Sequence, residues 1–389
     1  MNGKPITRSR LPWGILLLAF AVTASASTPP GPLEWAFRFA SAVTADPIDQ
    51  AKAQEKIARD YITLGALTEA AQCASQINGW RRGIVWAEVA VAQAQRGQSN
   101  AALTAIHEAE IIQRAFRLDW QGARLRAHLT RAQAALDNLD AVRKLTAELS
   151  PEELAKGAAS TASAQVAGGQ IAAALAELKL YEGTDDFDRN FQLLDGYLDL
   201  ARHRSLTNLP AQREQVLDAA ARVLQTMPPL RRGEVIPGLA RDYHRVGAAA
   251  KAKPLLDAIE PVVLTWENEP RFQAPVLADL ALAWRELGDT ERAQRLLRQA
   301  ETRATAGDPM DQPASCAAVA AAFAEIGDRA AAARLYDRGL AIAAGFVNAR
   351  PRALSIAEIC RSMGRQRWEL DATWQARLTE LAAGLKDPW

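Results

Sequence analysis

The sequence predicts an all-α protein: a right-handed α-solenoid of about nine stacked antiparallel helix pairs. Three observations predict it. Nearly half the residues are hydrophobic while aromatics make up only 6%, so the apolar mass is Ala and Leu, which suits close-packed helices. A set of glycines recurs at repeat-like intervals, each at the end of a helical stripe. No stretch shows the alternating pattern of a half-buried strand. The chain has 389 residues, too many for one compact core and enough for a long array.

The glycines set the register. Ile57 to Gly65 reads IARDYITLG, and Leu239 to Gly247 reads LARDYHRVG. Leu280 to Gly288 and Val319 to Gly327 follow the same plan, and Gly364 closes a final copy with Ile356 and Ala357. Seven residues before each glycine stands Ala, at 58, 90, 162, 240, 281, 320 and 357. Four before it often stands an aromatic, as with Tyr61, Tyr243, Trp284 and Phe323. Five after it stands another Ala. The preceding offsets trace one face of a 3.6-residue helix. Glycine then ends the helix, because without a Cβ it reaches positive φ freely.

Gly65 to Gly97 spans 32 residues, Gly247 to Gly288 spans 41, and Gly288 to Gly327 spans 39. Gly97 to Gly169 is 72 and Gly169 to Gly247 is 78, each room for two units. Their missing turns are expected at Asn138 and Asn208, residues that tolerate the left-handed region. Ser150-Pro151-Glu152-Glu153 reads as a capping box. Asp46-Pro47, Asp308-Pro309 and Arg350-Pro351 mark helix entries between units.

Four segments follow. Residues 1–26 read as a secretory signal: Lys4, Arg8 and Arg10, then an apolar run from Leu11 to Val22, then Ala24-Ser25-Ala26 as the cleavage site. No Cys follows that run, which speaks against a lipid anchor, and no later stretch is apolar enough to span a bilayer. Residues 27–46 are a lead-in with an N-terminal capping helix over Trp35 to Thr44. Residues 47–365 are the repeats, and 366–389 hold a C-terminal capping helix. The expected location is therefore the periplasm or the cell exterior.

This pattern resembles the tetratricopeptide repeat family, over most of Pro47 to Gly364. The small residue at −7, the aromatic at −4, the Gly-Asp turns at 288–289 and 327–328 and the Ala at +5 carry the likeness. It departs in unit length and in lacking the family's usual Pro. The resemblance implies that the first helix of each pair lines a concave groove. Offsets −13, −10, −6, −3 and −2 would then face it. They place Lys52, Arg59, Glu234, Arg241, His244, Arg245, Arg285, Glu286, Glu358 and Arg361 there, with Ala87, Val91, Ala94, Ala159 and Ser163 forming a small or apolar stretch. The binding residues expected are Arg59, Arg241, His244, Arg245, Arg285 and Arg361. Arg forks suit carboxylates, hence an acidic peptide or a free C-terminus. Pairing with Asp60, Asp242 or Glu286 between units is the competing reading. Two helix starts carry basic pairs, Arg81-Arg82 and Arg231-Arg232, which oppose the macrodipole and call for acids or an anionic ligand.

Catalytic and metal signatures are absent from the sequence, and no cofactor is expected. His107, His128, His203 and His244 stand apart, each read as a surface or satisfied residue. Asp185, Asp186, Asp188 and Asp195 read as a helix opening favoured by its dipole. Trp80, Trp120 and Trp266 near turns leave a sugar platform open, while Trp86 and Trp284 read as core. Cys73, Cys316 and Cys360 read as buried core residues, with Cys316 and Cys360 the one pair placed for a bridge. A net charge of +1 argues against nucleic acid as partner. The expected function is a non-enzymatic scaffold for protein or peptide partners. The alternative is a polysaccharide-acting hydrolase or lyase on a helical scaffold.

Overall fold

The computed structural model describes residues 29–116, 120–149, 153–183 and 186–386. The signal region, residues 150–152 of the expected capping box, and Asp185 lie outside the described residues. The described residues form nineteen α-helices and one 3-10 turn, with no strand among them. After α1 (Pro32–Ser41), they run as nine pairs. The first members are α2 (Pro47–Leu64), α4 (Trp80–Gln95), α6 (Trp120–Ala135), α8 (Leu154–Ala167), α10 (Phe187–Ala201), α12 (Pro229–Arg245), α14 (Pro270–Glu286), α16 (Gln312–Glu325) and α18 (Ala349–Arg365). The second members are α3 (Leu67–Gln76), α5 (Ser99–Ala115), α7 (Leu139–Thr146), α9 (Ile171–Lys179), α11 (Pro210–Leu224), α13 (Ala249–Leu264), α15 (Thr290–Ala304), α17 (Arg329–Ala344) and α19 (Ala372–Ala383). The chain is an all-helical array of stacked hairpin repeats.

The turn chemistry explains the hairpins. Gly65, Gly97, Gly169, Gly247, Gly288 and Gly327 all take positive φ, between 74° and 92°. Behind two of them an Asp caps the next helix: Asp289 accepts from the Arg292 N–H at 3.0 Å and Asp328 from the Ala331 N–H at 2.9 Å. The Ala seven before each turn is fully buried at 58, 90, 162, 240, 281 and 320, letting backbones approach. The aromatic at −4 packs beside it, and in two units its polar tip is tied to the preceding unit. Tyr243 donates to Asp218 at 2.9 Å and Trp284 to Glu260 at 2.9 Å.

Three turns differ from expectation. Asp137, not Asn138, is left-handed (φ 57°), and Asn138 instead caps α7 by accepting from the Ala141 N–H. Asn208 is not left-handed; α10 ends at Ala201 and a 3-10 turn, Arg204–Leu206, bridges to α11. The aromatic place in α10 belongs to Tyr197, which donates to Glu182 at 2.6 Å as its counterparts do. Gly364 is inside α18, and Arg367 (φ 49°) takes the left-handed place after it. The last unit is thereby shifted by three residues. Buried Cys360, not Ala357, occupies the small position, and Arg361 falls where Arg59 and Arg241 stand.

The two segments expected to cap opposite ends meet instead. α1 packs against both α2 and α18, and α18 also touches α2. Leu33 of α1 lies so close to α18 that a Cβ on Gly364 would be 2.5 Å from it. Trp35 donates to Gln375 of α19 at 2.8 Å. Arg350 pairs with Asp46 at 2.7 Å and with Asp49 at 3.2 Å. The array closes into a ring, with α1 taking a partner's place against α18. Elsewhere successive first helices pack directly, and the step from α10 to α12 is bridged by Arg231 to Asp195 at 3.0 Å and Arg202 to Asp242 at 3.2 Å. All three cysteines are buried and free.

Candidate functional site: an interior cavity

Ring closure turns the expected groove into an interior. The first helices surround it, and from α2 to α16 each packs against the helix that follows it. Between α2, α4, α6, α8 and α10 a cavity of about 750 Å³ opens on this inner side. Its floor is small: Val91, Ala127, Ala159, Ser160, Ser163 and Ala167. Its walls are charged: Arg59, Arg124, Arg131, Lys156 and Arg202 against Glu153, Asp188, Asp195 and Asp199.

Most of these charges are held in place. Arg59 lays its fork on Glu88 with two bonds of 2.8 Å and reaches Glu55 at 2.7 Å. Arg131 meets Asp199 at 2.9 Å, and Lys156 meets Glu153 at 2.9 Å. Arg124 joins no ion pair among the described residues and leans over the Trp80 ring at 5.8 Å. His128 sits among them, its Nδ1 3.5 Å from Glu88. Burial first, and then the charges of Arg59, Lys156, Arg131 and Arg124, hold its imidazole well below the usual range. Burial pushes Asp195 up against the pull of Arg231.

The residues expected from sequence are spread around the ring. Arg59 lines the cavity. Arg241 is spent between units, on Glu286 at 2.9 Å and Glu325 at 2.5 Å. Arg245 shares Glu286 at 3.0 Å and reaches Asp242 at 3.4 Å. Arg285 is exposed, with one contact to the Glu325 carbonyl at 3.4 Å, and His244 is exposed. Arg361 is buried in the seam, bonded to both oxygens of Asp60 at 2.6 and 3.2 Å and to Glu358 at 2.6 Å. Arg81 pairs with Glu55 and stacks on Trp80, and Arg231 pairs with Asp195 and lies 4.2 Å from the Phe191 ring centre. The Nε atoms of Arg82 and Arg232 are buried with no hydrogen-bond partner among the described residues.

Asp279 of α14 faces the same interior from the other half. It is open to water, yet protein surrounds it closely enough that burial raises its carboxyl to about 6. Arg241 pulls the other way. Trp80 and Trp120 meet edge to face at 5.3 Å, with Trp120 exposed at 65%. Among the described residues no cluster of His, Cys, Asp or Glu is fit to hold a metal ion, and no helix is long and apolar enough to cross a membrane.

Sequence reasoning missed Arg124, His128, Arg131 and Lys156. The signal was there. Lys156 stands thirteen before Gly169, as Lys52 stands before Gly65. Arg124 and Arg131 stand thirteen and six before Asp137, the true turn. Counting from Asn138 moves the inner offset onto Ala132, which is buried.

No family model matches the chain, and no curated protein matches it. Among solved structures it is similar to the apo form of the quorum sensor NprR from B. thuringiensis. That match has 14% identity and a TM-score of 0.31, covering 76% of this chain and 87% of that one. It is also similar to a circular tandem repeat protein with novel repeat topology, at 15% identity and a TM-score of 0.23, covering 91% of this chain and 94% of that one.

Proposed function

We propose that the chain is an exported, non-enzymatic scaffold that binds a peptide or a segment of a protein partner inside its ring. The observation that carries this reading is the cavity itself: a small, uncharged floor between walls of fixed charge, contributed by five consecutive first helices. Along α8 its lining runs from Glu153 to Ala167. At a rise of about 1.5 Å per residue that is roughly 21 Å, the length of about six extended residues. Arg59 belongs to this site. Arg241, Arg245 and Arg361 hold units together instead.

Export rests on residues 1–26, and cleavage after Ala26 leaves α1 whole to close the ring. A hydrolase or lyase is the second reading, favoured by Asp279, whose raised carboxyl suits proton transfer. Against it, the acid that acts on Asp279, Glu325, is tied down by Arg241.

The test is affinity capture from the envelope fraction on the wild-type protein and on Ser163→Trp, which fills the cavity floor. A partner held by the first and lost from the second, with helix content unchanged, supports the reading. A partner held equally by both overturns it. Mass spectrometry of the exported chain should find Ser27 as its first residue.

A further inference from the structure

The cavity has a chemical bias that its overall balance of charge conceals. Four cations from three helices converge on one imidazole: Arg59 from α2, Arg124 and Arg131 from α6, and Lys156 from α8. The acids that balance them sit to the side. Glu88 of α4 is the acid nearest His128, but both its oxygens are already bonded by Arg59. Glu153 and Asp199 are turned to Lys156 and Arg131. Asp195 of α10 is turned to Arg231. Arg124 alone of the four has no ion pair among the described residues. Negative charge is present on every side, but it is committed to Arg59, Arg131 and Lys156, so Arg124, stacked near Trp80, is the cation left for an arriving anion.

We propose that the occupant presents a carboxylate to Arg124, Arg131 and Lys156, and that His128 takes up one proton as it seats. This rests on the cavity reading above. In the free protein, burial and the four cations keep the imidazole neutral. A carboxylate at this spot offsets those cations and accepts a hydrogen bond from a protonated ring. The bound state then holds the proton more tightly than the free state. By linkage, affinity rises as pH falls through the bound-state pKa and levels off only below the free one. Anion recognition and proton uptake become one event.

The test uses three fluorescent hexapeptides of equal length: acidic with a free C-terminus, its Asn/Gln counterpart amidated at the C-terminus, and a basic one. Anisotropy titrations run at about pH 7.5 and about pH 5.5, on the wild type, His128→Gln and Ser163→Trp. The acidic peptide should bind the wild type about three- to tenfold tighter at the lower pH. His128→Gln should bind it with little pH dependence, and Ser163→Trp should lose it. NMR of the His128 ring should show its titration moving up when the acidic peptide is added.

Three results overturn the proposal. The acidic peptide fails to bind the wild type. It binds with a pH response that His128→Gln retains. Or the neutral peptide binds as well as the acidic one. In that last case, loss of the neutral peptide from Ser163→Trp leaves the cavity reading standing. Equal binding of the acidic peptide to Ser163→Trp brings the cavity reading down as well.

Discussion

The half of the ring from α2 to α10 and the half from α12 to α18 are built on one plan and differ in what fills the middle. Six residues before the turn, the first half places Arg59, Val91, Arg131 and Ser163, and the second places Arg241, Leu282, Ala321 and Arg361. In the first half small residues on α8 leave room between the charged walls. In the second, Arg241 and Arg245 reach over to Glu286 and Glu325, and Arg361 is sunk against Asp60. An Arg at this offset bonds across units in both halves, Arg59 to Glu88 and Arg241 to Glu286. The small residues of α8 decide whether a cavity opens beside it.

The largest expected effect is at the seam that joins the halves. Gly364→Leu must displace Leu33 and should cost about 3 kcal/mol, read as a lower urea midpoint and an expanded solution radius. A compact variant of unchanged stability would mean the ends close without α1. Next, Arg361→Ala strands the buried Asp60 carboxylate and should cost about 3 kcal/mol. Adding Asp60→Asn should restore a good part of that in a double-mutant cycle.

Arg241→Ala should cost about 1 to 2 kcal/mol while leaving ligand binding at the cavity intact, which separates bolt from wall. The smallest effect is at Asp279. Its folded pKa is raised to about 6, so the folded state binds the extra proton. That contribution is fully present below the unfolded pKa and is lost as pH rises through about 6. Asp279→Asn should therefore gain about 1 kcal/mol at alkaline pH, discounted for contact with interior water, and nothing at acid pH. A melting series across pH checks it.

The hairpins and their stacking were legible in the sequence because their causes are local. A glycine that reaches positive φ, an Asp that caps the next helix and an Ala seven residues back all act within one unit. The closure was not. Nothing near Leu33 says that it will meet Gly364, since that contact follows from the summed turn of nine units. Gly364 looked like one more helix terminator because it stands at a repeat-like interval, when its smallness in fact serves the approach of α1. The cavity was half legible. Val91, Ala159 and Ser163 were placed on a small inner stretch, and that stretch is the floor. His128 and its four cations come from three helices, and a one-residue error at the Asp137 turn was enough to hide Arg131.

The central claim is that the open half of the ring binds and the bolted half does not. Ser163 and Ala321 stand at equivalent positions in the two halves, six before Gly169 and Gly327. The partner captured on the wild-type protein should be titrated against Ser163→Trp and Ala321→Trp, each confirmed folded by circular dichroism. Affinity should fall at least about tenfold for Ser163→Trp, roughly 1.4 kcal/mol, and stay within twofold for Ala321→Trp. Loss at Ala321→Trp with binding kept at Ser163→Trp would contradict it.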